Sequence, residues 1–222
     1  MKIHTLRSPS HDVLFDRFFK PSVEEFLSAD LVDHVYSQDI CPSGRFDGVG
    51  FNAFTSEIVT VVLKALMEDD GEDFFIYSDC DILFFKDCVP DLRRRMKGMD
   101  LLVQRDGNLL CSGFMAVRKN KIMEDILHAT AEGMVRNPSM NDQQIMQGVV
   151  YNNPCRMDML DAGCGYGNLS HTTSCGLYNT GDRWTLPKDQ YLWHANFTIG
   201  VPNKVSMLEE ASQQHERMGK NE

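Results

Sequence analysis

No stretch of this chain approaches the ~20 consecutive apolar residues that cross a bilayer. Met1-Lys2-Ile3-His4 does not begin a signal peptide. A soluble, cytoplasmic chain without an anchor is therefore expected. Positive charge is also scarce: 22 Lys and Arg stand against 32 Asp and Glu, a net charge of -10. Nucleic-acid backbones are held by basic stripes. Here the basic clusters are Arg93-Arg94-Arg95 with Lys97, and Arg118-Lys119 with Lys121, which read as solvated helix faces or turns. A nucleic-acid partner is thereby excluded. The seven cysteines form no Cys-x-x-Cys pair, and their number is odd. Cys80 and Cys111 fall within apparent strands, where a thiol packs as a small hydrophobe, so a reducing compartment suits the chain better than a disulfide framework. Internal repeats and a clear inter-domain linker are absent as well.

What is present is ordinary globular composition, 42% apolar and 24% charged over 222 residues, enough for one core. Lys2 to Leu6 reads as a strand. Val13, Leu14, Phe15, Phe18 and Phe19 recur at helical spacing until Lys20-Pro21 is expected to stop the run. Leu31 to Tyr36 reads as a strand, and Pro42, Gly44, Gly48 and Gly50 mark a long loop. Thr55 to Asp69 carries a helical apolar face ended by Gly71. Strands are expected at Asp100 to Gln104 and Leu109 to Val117, and helices at Pro90 to Gly98 and Ile122 to Val135. Ser112-Gly113 interrupts the second of these strands, and a glycine there marks a bulge or a close approach to the backbone. Asn141 with Gln144 reads as a capping box opening another helix. Beyond Val150 only short strands fit, and the tail from Glu209 reads as a terminal helix or frayed end. The alternation of strand and helix predicts one α/β domain, a mostly parallel sheet between helices. That domain spans residues 1–222 and divides into halves at 1–118 and 119–222.

The chain is arranged around Phe74-Phe75-Ile76-Tyr77-Ser78-Asp79-Cys80-Asp81-Ile82-Leu83-Phe84-Phe85. Four apolar residues, two carboxylates two positions apart, and four more apolar residues read as a strand buried on both faces. Buried carboxylates cost several kcal/mol unless paired. A hard cation such as Mg²⁺ or Mn²⁺, bridging to a phosphate, would settle that cost. The plainer reading makes Asp79 and Asp81 the turn at the strand's end. Ligands of open α/β sheets bind beyond the carboxyl ends of the strands. Thr5-Leu6-Arg7 is expected to leave the first strand at the same edge as Asp79 and Asp81, so that one pocket could join a metal site to a nucleobase or ribose site. Far along the chain, His194-Ala195-Asn196 precedes Gly200 and Lys204. A histidine can complete a metal shell, a glycine admits phosphate to the backbone, and a lysine supplies a point charge. The alternative there is a capped strand with an exposed lysine.

Together these pieces resemble the GT-A nucleotide-diphospho-sugar glycosyltransferases, whose Asp-x-Asp motif holds a divalent metal against the donor diphosphate. The likeness rests on Ile3-His4-Thr5-Leu6 with Ser8-Pro9-Ser10-His11, Tyr77-Ser78-Asp79-Cys80-Asp81-Ile82, Ser112-Gly113-Phe114-Met115, Asn141-Asp142-Gln143-Gln144 and the stretch from His194 to Lys204. It implies a Rossmann-like fold and a hexosyltransferase using Mn²⁺ or Mg²⁺ and a nucleotide sugar, most simply a UDP-sugar, with a glycan or glycoprotein acceptor. By resemblance Asp79, Asp81 and His194 would ligate the metal, and Gly200 and Lys204 would hold the diphosphate. Thr5, Leu6, Arg7, Lys64, Ser78, Asp79, Cys80 and Asn196 would belong to the donor site. Ser112-Gly113 and Asp142-Gln143 would face the sugar, the last two as catalytic residues. The short form is similar to enzymes of bacteria or large viruses, so a host cytoplasm follows if a virus encodes it. Retaining branches with a closing His-Gly-Lys pattern offer the nearest comparison, although the spacing is wider here.

Two rivals come from other classes. Met159-Leu160-Asp161-Ala162-Gly163-Cys164-Gly165-Tyr166-Gly167-Asn168 resembles the first motif of S-adenosylmethionine methyltransferases. That fold needs several strand–helix units after the glycine loop, and 55 residues remain. A non-catalytic metal- or nucleotide-sugar-binding module is the other rival, with Cys155, Cys164, His171 and Cys175 offering a zinc donor set at spacings that fit no finger pattern.

Overall fold

The computed structural model describes residues 1–45, 48, 50–68, 71–169 and 178–220. Nine strands and seven helices alternate along them. β1 (Lys2–Arg7) leads through a short 3₁₀ turn (Pro9–His11) into α1 (Asp12–Leu14), a π turn (Phe15–Phe19) and α2 (Lys20–Phe26). β2 (Asp30–Val35), α3 (Phe51–Glu68), β3 (Phe74–Ser78), β4 (Ile82–Phe84), α4 (Val89–Arg95), β5 (Leu101–Asp106) and β6 (Leu109–Arg118) follow. The remainder is α5 (Lys121–Arg136), α6 (Asp142–Tyr151), β7 (Met157–Leu160), β8 (Tyr166–Asn168), β9 (Leu192–His194) and α7 (Val201–Gly219).

Six strands make the main sheet in the order β2-β1-β3-β6-β5-β7. β1 runs parallel to β2 and β3, and β5 runs parallel to β7. β6 alone lies antiparallel to both its neighbours, so the sheet is mostly parallel, as expected. β3 is buried throughout. Its side chains alternate: Phe74 and Ile76 enter one core, Phe75 and Tyr77 the other. A continuous apolar run thus serves two layers. One layer holds α3, α5 and α6 through Ile58, Val62, Leu127 and Met146. The opposite layer gathers Phe19, Phe84, Trp193 and Leu208.

Several expectations need correction. Lys20-Pro21 does not stop the first helix. Proline lacks an N–H, and its ring crowds the carbonyl four residues back. The turn widens into π geometry over Phe15–Phe19, with Lys20 N–H reaching Phe15 O, and α2 continues to Phe26. The central apolar stretch is two strands in two sheets, since β4 leaves the main sheet and joins a three-stranded one, β4-β9-β8. The last helix starts at Val201, earlier than its polar tail suggests, with Gly200 at φ 82° and Pro202 in its first turn. The segment resembling a methyltransferase loop runs from β7 through a 3₁₀ turn (Ala162–Cys164) into β8, which pairs with β9. Among the described residues a strand, and not a helix N-terminus, follows its glycines, which is not the dinucleotide-like cradle that reading requires. His171 and Cys175 of the zinc alternative lie outside the described residues. Cys155 and Cys164 are free, with Cys164 Sγ bonded to Asp161 O at 3.3 Å. No described helix is long and apolar enough to cross a membrane.

Candidate active site

The functional candidates converge at the seam between the two sheets. Asp79 N–H donates to Gly113 O at 2.7 Å, tying the end of β3 to β6. Ala195 N–H donates to Asp81 O at 2.9 Å, and β4 pairs with β9 so that Ile82 faces His194. These two backbone bonds set Asp79, Asp81 and His194 side by side, with one ligand atom of each within 4.8 Å of the others. The register of β5 on β6 slips between Val103 and Gln104, from Met115 to Cys111. Ser112, Gly113 and Phe114 are thereby left out of that pairing, and the backbone bends toward the carboxylates. Both meanings of a strand glycine apply here. A Cβ on Gly113 would lie 2.5 Å from Asp79 Oδ2 and 2.6 Å from His194 Cε1.

His194 Nε2 is 3.2 Å from Asp81 Oδ1, and the Lys204 ammonium bonds to Asp81 Oδ2. Lys204 reaches down from the first turn of α7, where its own N–H bonds to Gly200 O at 3.2 Å. It is not the exposed lysine of the alternative reading, for its side chain is only 16% accessible. Burial by itself would raise the Asp81 pKa, but Lys204 and His194 outweigh it and hold the group ionised far below the usual carboxylate range. Asp79 goes the other way: burial and the charge of Asp81 raise it, while Tyr77 OH donates to its Oδ1 at 3.0 Å. Burial lowers His194, yet Asp81 beside it lifts it well above an ordinary imidazole. Two carboxylates and an imidazole are a donor set that suits Mn²⁺ or Mg²⁺. A bare ring lone pair cannot face a carboxylate oxygen at 3.2 Å, so a proton or a cation must stand between them. The residues fit a divalent ion.

A cleft of about 330 Å³ opens above this cluster. Of the residues singled out in the sequence, Leu6, Asp79, Cys80, Asp81, Ser112, Gly113, Asp142, Gln143, His194, Asn196 and Lys204 line it. Asp142 is the first residue of α6, behind the Asn141–Gln144 capping box. Burial raises its pKa to about 6, with a Ser112 hydrogen bond opposing and Asp79 adding to the rise, and its Oδ2 has no partner. Gln143 Nε2 donates to Asp106 Oδ2 at 2.8 Å.

The structure keeps five candidates off the cleft wall. Arg7 is held by Asp12 and Asp33 and lies over the Phe15 ring. Lys64 sits exposed on α3, 3.9 Å from Glu68. Thr5 is fully buried, Ser78 Oγ turns to Asp79 O at 3.1 Å, and Gly200 serves as the cap residue of α7. Conversely, His11, Phe51, Phe54 and Asp106 line the cleft without having been singled out. His11 stacks on Phe54 with centroids 5.7 Å apart and planes 5° off parallel. Phe54 sits just ahead of the expected helix start, so its helical phase, the one available signal, was lost. His11 already stood within the quoted Ser8-Pro9-Ser10-His11 segment.

The sequence profile described as nucleotide-diphospho-sugar transferase matches residues 70–208, the span holding Asp79, Asp81, Asp142, His194 and Lys204. No curated protein sequence matches the chain. Among solved structures, the chain is similar to a glycosyltransferase involved in glycosylation of the major capsid of PBCV-1. That likeness has a TM-score of 0.59 and 13% identity, covering 96% of this chain and 100% of that one. It is also similar to the glycosyltransferase GlyE of Streptococcus pneumoniae (TM-score 0.53, 11% identity, 93% and 60% of the chains). The galactosyltransferase LgtC, solved with donor and acceptor sugar analogs, gives 0.52 at 12% identity over 88% and 87%. These three share the GT-A fold with this chain. Fold, profile and the placement of the two aspartates agree, and the chain belongs to the nucleotide-diphospho-sugar transferase family.

Proposed function

We propose that the protein transfers a hexose from a UDP-sugar to a hydroxyl of a glycan or glycoprotein, with Mn²⁺ or Mg²⁺ held by Asp79, Asp81 and His194. The observation that carries this reading is the convergence of those three side chains with Lys204 at the floor of one cleft. Charge supports it. Among the described lining residues, Asp79, Asp81, Asp106 and Asp142 outnumber Lys204 and the two histidines. A diphosphate entering this cleft needs added positive charge, which a divalent ion supplies.

When bound, the metal supplies Lewis-acid stabilisation of charge on the departing diphosphate. The protein's own groups do the rest. Lys204 offers a second positive charge from a fixed position in the first turn of α7, where backbone N–H groups also favour an anion. Asp142, buried and with Oδ2 unpartnered, is set to accept hydrogen bonds from sugar hydroxyls. Gln143 lines the cleft and is steadied there by the bond from its amide nitrogen to Asp106. Leu6 and the His11–Phe54 pair give the cleft an apolar, aromatic end suited to a nucleobase. In this reading residues 1–118 chiefly serve the donor, and 119–222 serve the acceptor side and the closing phosphate contacts. The capsid-glycosylating and LgtC relatives support a glycoprotein or glycan acceptor.

Calorimetry of UDP with Mn²⁺ tests the reading. Wild type is expected to bind only with the metal, and Asp81→Asn to lose that binding. Unchanged Mn²⁺-dependent affinity in Asp81→Asn would remove the site assignment. A panel of nucleotide sugars then identifies the donor, and NMR of the product gives the anomeric configuration.

A further inference from the structure

Gln104 on β5 has no solvent exposure, and both ends of its amide are committed. Nε2 donates to Tyr166 O at 3.1 Å and to Gly167 O at 3.0 Å. Carbonyl oxygens only accept, so the amide cannot be turned over, and its nitrogen must face β8. Oε1 therefore points the opposite way, and it lies 2.7 Å from His194 Nδ1. An amide oxygen also only accepts. Nδ1 must carry the hydrogen, and Nε2 is the nitrogen turned to Asp81.

We propose that Gln104 is a positioning residue of the transferase: it fixes the tautomer and ring angle of His194 so that Nε2 is presented to the divalent ion. The backbone of Tyr166-Gly167 orients Gln104 in turn. The inference rests on the metal reading of Asp79, Asp81 and His194. Histidine ligands are commonly held this way through their second nitrogen, and loss of the partner weakens metal binding by roughly 10–100-fold.

The same chain of contacts gives the glycine-rich segment a role that needs no second cofactor. A Cβ on Gly167 would lie 2.5 Å from Gln190 Oε1 and 2.7 Å from two ring atoms of Trp193. Without a side chain, β8 lies close against β9, with Gly167 opposite Trp193 and Asn168 opposite His194. Its carbonyls are then within reach of Gln104. Sequence positions 104, 166–167 and 194 thus act on one ring.

Gln104→Met keeps length and burial but removes the acceptor. Mn²⁺ titrated into the protein with UDP present, read by electron paramagnetic resonance of the free ion, should show affinity weakened roughly 10–100-fold. Long-range ¹H–¹⁵N NMR of His194 with Mg²⁺ and UDP should show hydrogen on Nδ1 alone in wild type, and a tautomer mixture in the variant. A purely structural glutamine would change stability and leave the His194 tautomer as it was. Equal Mn²⁺ affinity in both proteins, or a wild-type His194 protonated on Nε2 under these conditions, overturns the positioning role. Should Gln104→Met fail to fold, the wild-type NMR decides alone. A wild type that binds no Mn²⁺ overturns the metal reading itself, a result distinct from equal binding by the two proteins.

Discussion

Lys204 and Asp81 stand 123 positions apart in sequence, yet their side chains form one buried ion pair at the foot of the cleft. The pair has two consequences. It neutralises a carboxylate that burial would otherwise penalise, and it places an ammonium where a diphosphate would approach the metal site. On the proposed function, fold and site therefore share the same lysine.

Replacing Lys204 by alanine is expected to destabilise the protein as well as weaken donor binding. Orphaning a buried charge costs about 3–5 kcal/mol, and the low end applies because His194 still faces Asp81. For a chain of this size that is roughly 6–12 °C in Tm. Mn²⁺ should restore part of the loss by supplying the missing positive charge. Thermal scans of Lys204→Ala with and without Mn²⁺ check this, and an unchanged Tm would mean the ion pair carries no weight in the fold.

Gly113 has no room for a methyl group between Asp79 Oδ2 and His194 Cε1. Gly113→Ala should push those ligands apart and weaken Mn²⁺ binding tenfold or more, a loss comparable to that from disturbing a ligand's support. Circular dichroism should stay native, since the change falls at a bulge and not within a paired run. Wild-type metal affinity in Gly113→Ala would show that the cradle yields.

The catalytic role proposed for Asp142 would come with a stability cost. Its pKa is raised to about 6 from an ordinary 3.8, so the folded state binds its proton more tightly than the unfolded state does. An acid raised in this way costs stability above about pH 6, and the cost disappears below its unfolded value. Asp142→Asn should therefore raise stability at pH 7.5 by up to about 3 kcal/mol, with the advantage shrinking as pH falls from 6 toward 4. UDP affinity should stay within a few-fold, while turnover falls by roughly two orders of magnitude. Denaturant melts across pH, paired with transfer assays, separate the two effects. Normal turnover would return Asp142 to the role of a helix-start acid.

The His11–Phe54 stack predicts a different signature. His11→Ala should weaken UDP binding roughly tenfold, within the range of one base–aromatic stack. Mn²⁺ affinity measured without nucleotide should change far less, because His11 is not one of the three clustered donors, even though Asp81 and Lys204 act on its charge. Equal loss of both affinities would place His11 in the metal environment instead.

The local chain determined much of this protein. The apolar run from Phe74 was enough to mark a strand buried on both faces and the one at 109–117 to mark another strand, and the Asn141–Gln144 spacing marked a helix cap, because period and capping chemistry are properties of neighbouring residues. Asp79 and Asp81 were legible for the same reason: carboxylates at the end of an apolar run need a partner whatever the fold. Tertiary structure alone decided which partners they have. The antiparallel β6, the departure of β4 into a second sheet, and the descent of Lys204 onto Asp81 depend on contacts between distant segments, which no local pattern encodes. Arg7 and Lys64 look as suitable for phosphate as Lys204 does, and only their places in the fold set them apart: Lys204 lines the cleft, whereas Arg7 is tied to Asp12 and Asp33 and Lys64 lies exposed on α3. Gln104 is the sharpest case. A lone glutamine in a strand carries no signal, and it acquires a role because two carbonyls of β8 fix its nitrogen and leave its oxygen facing His194.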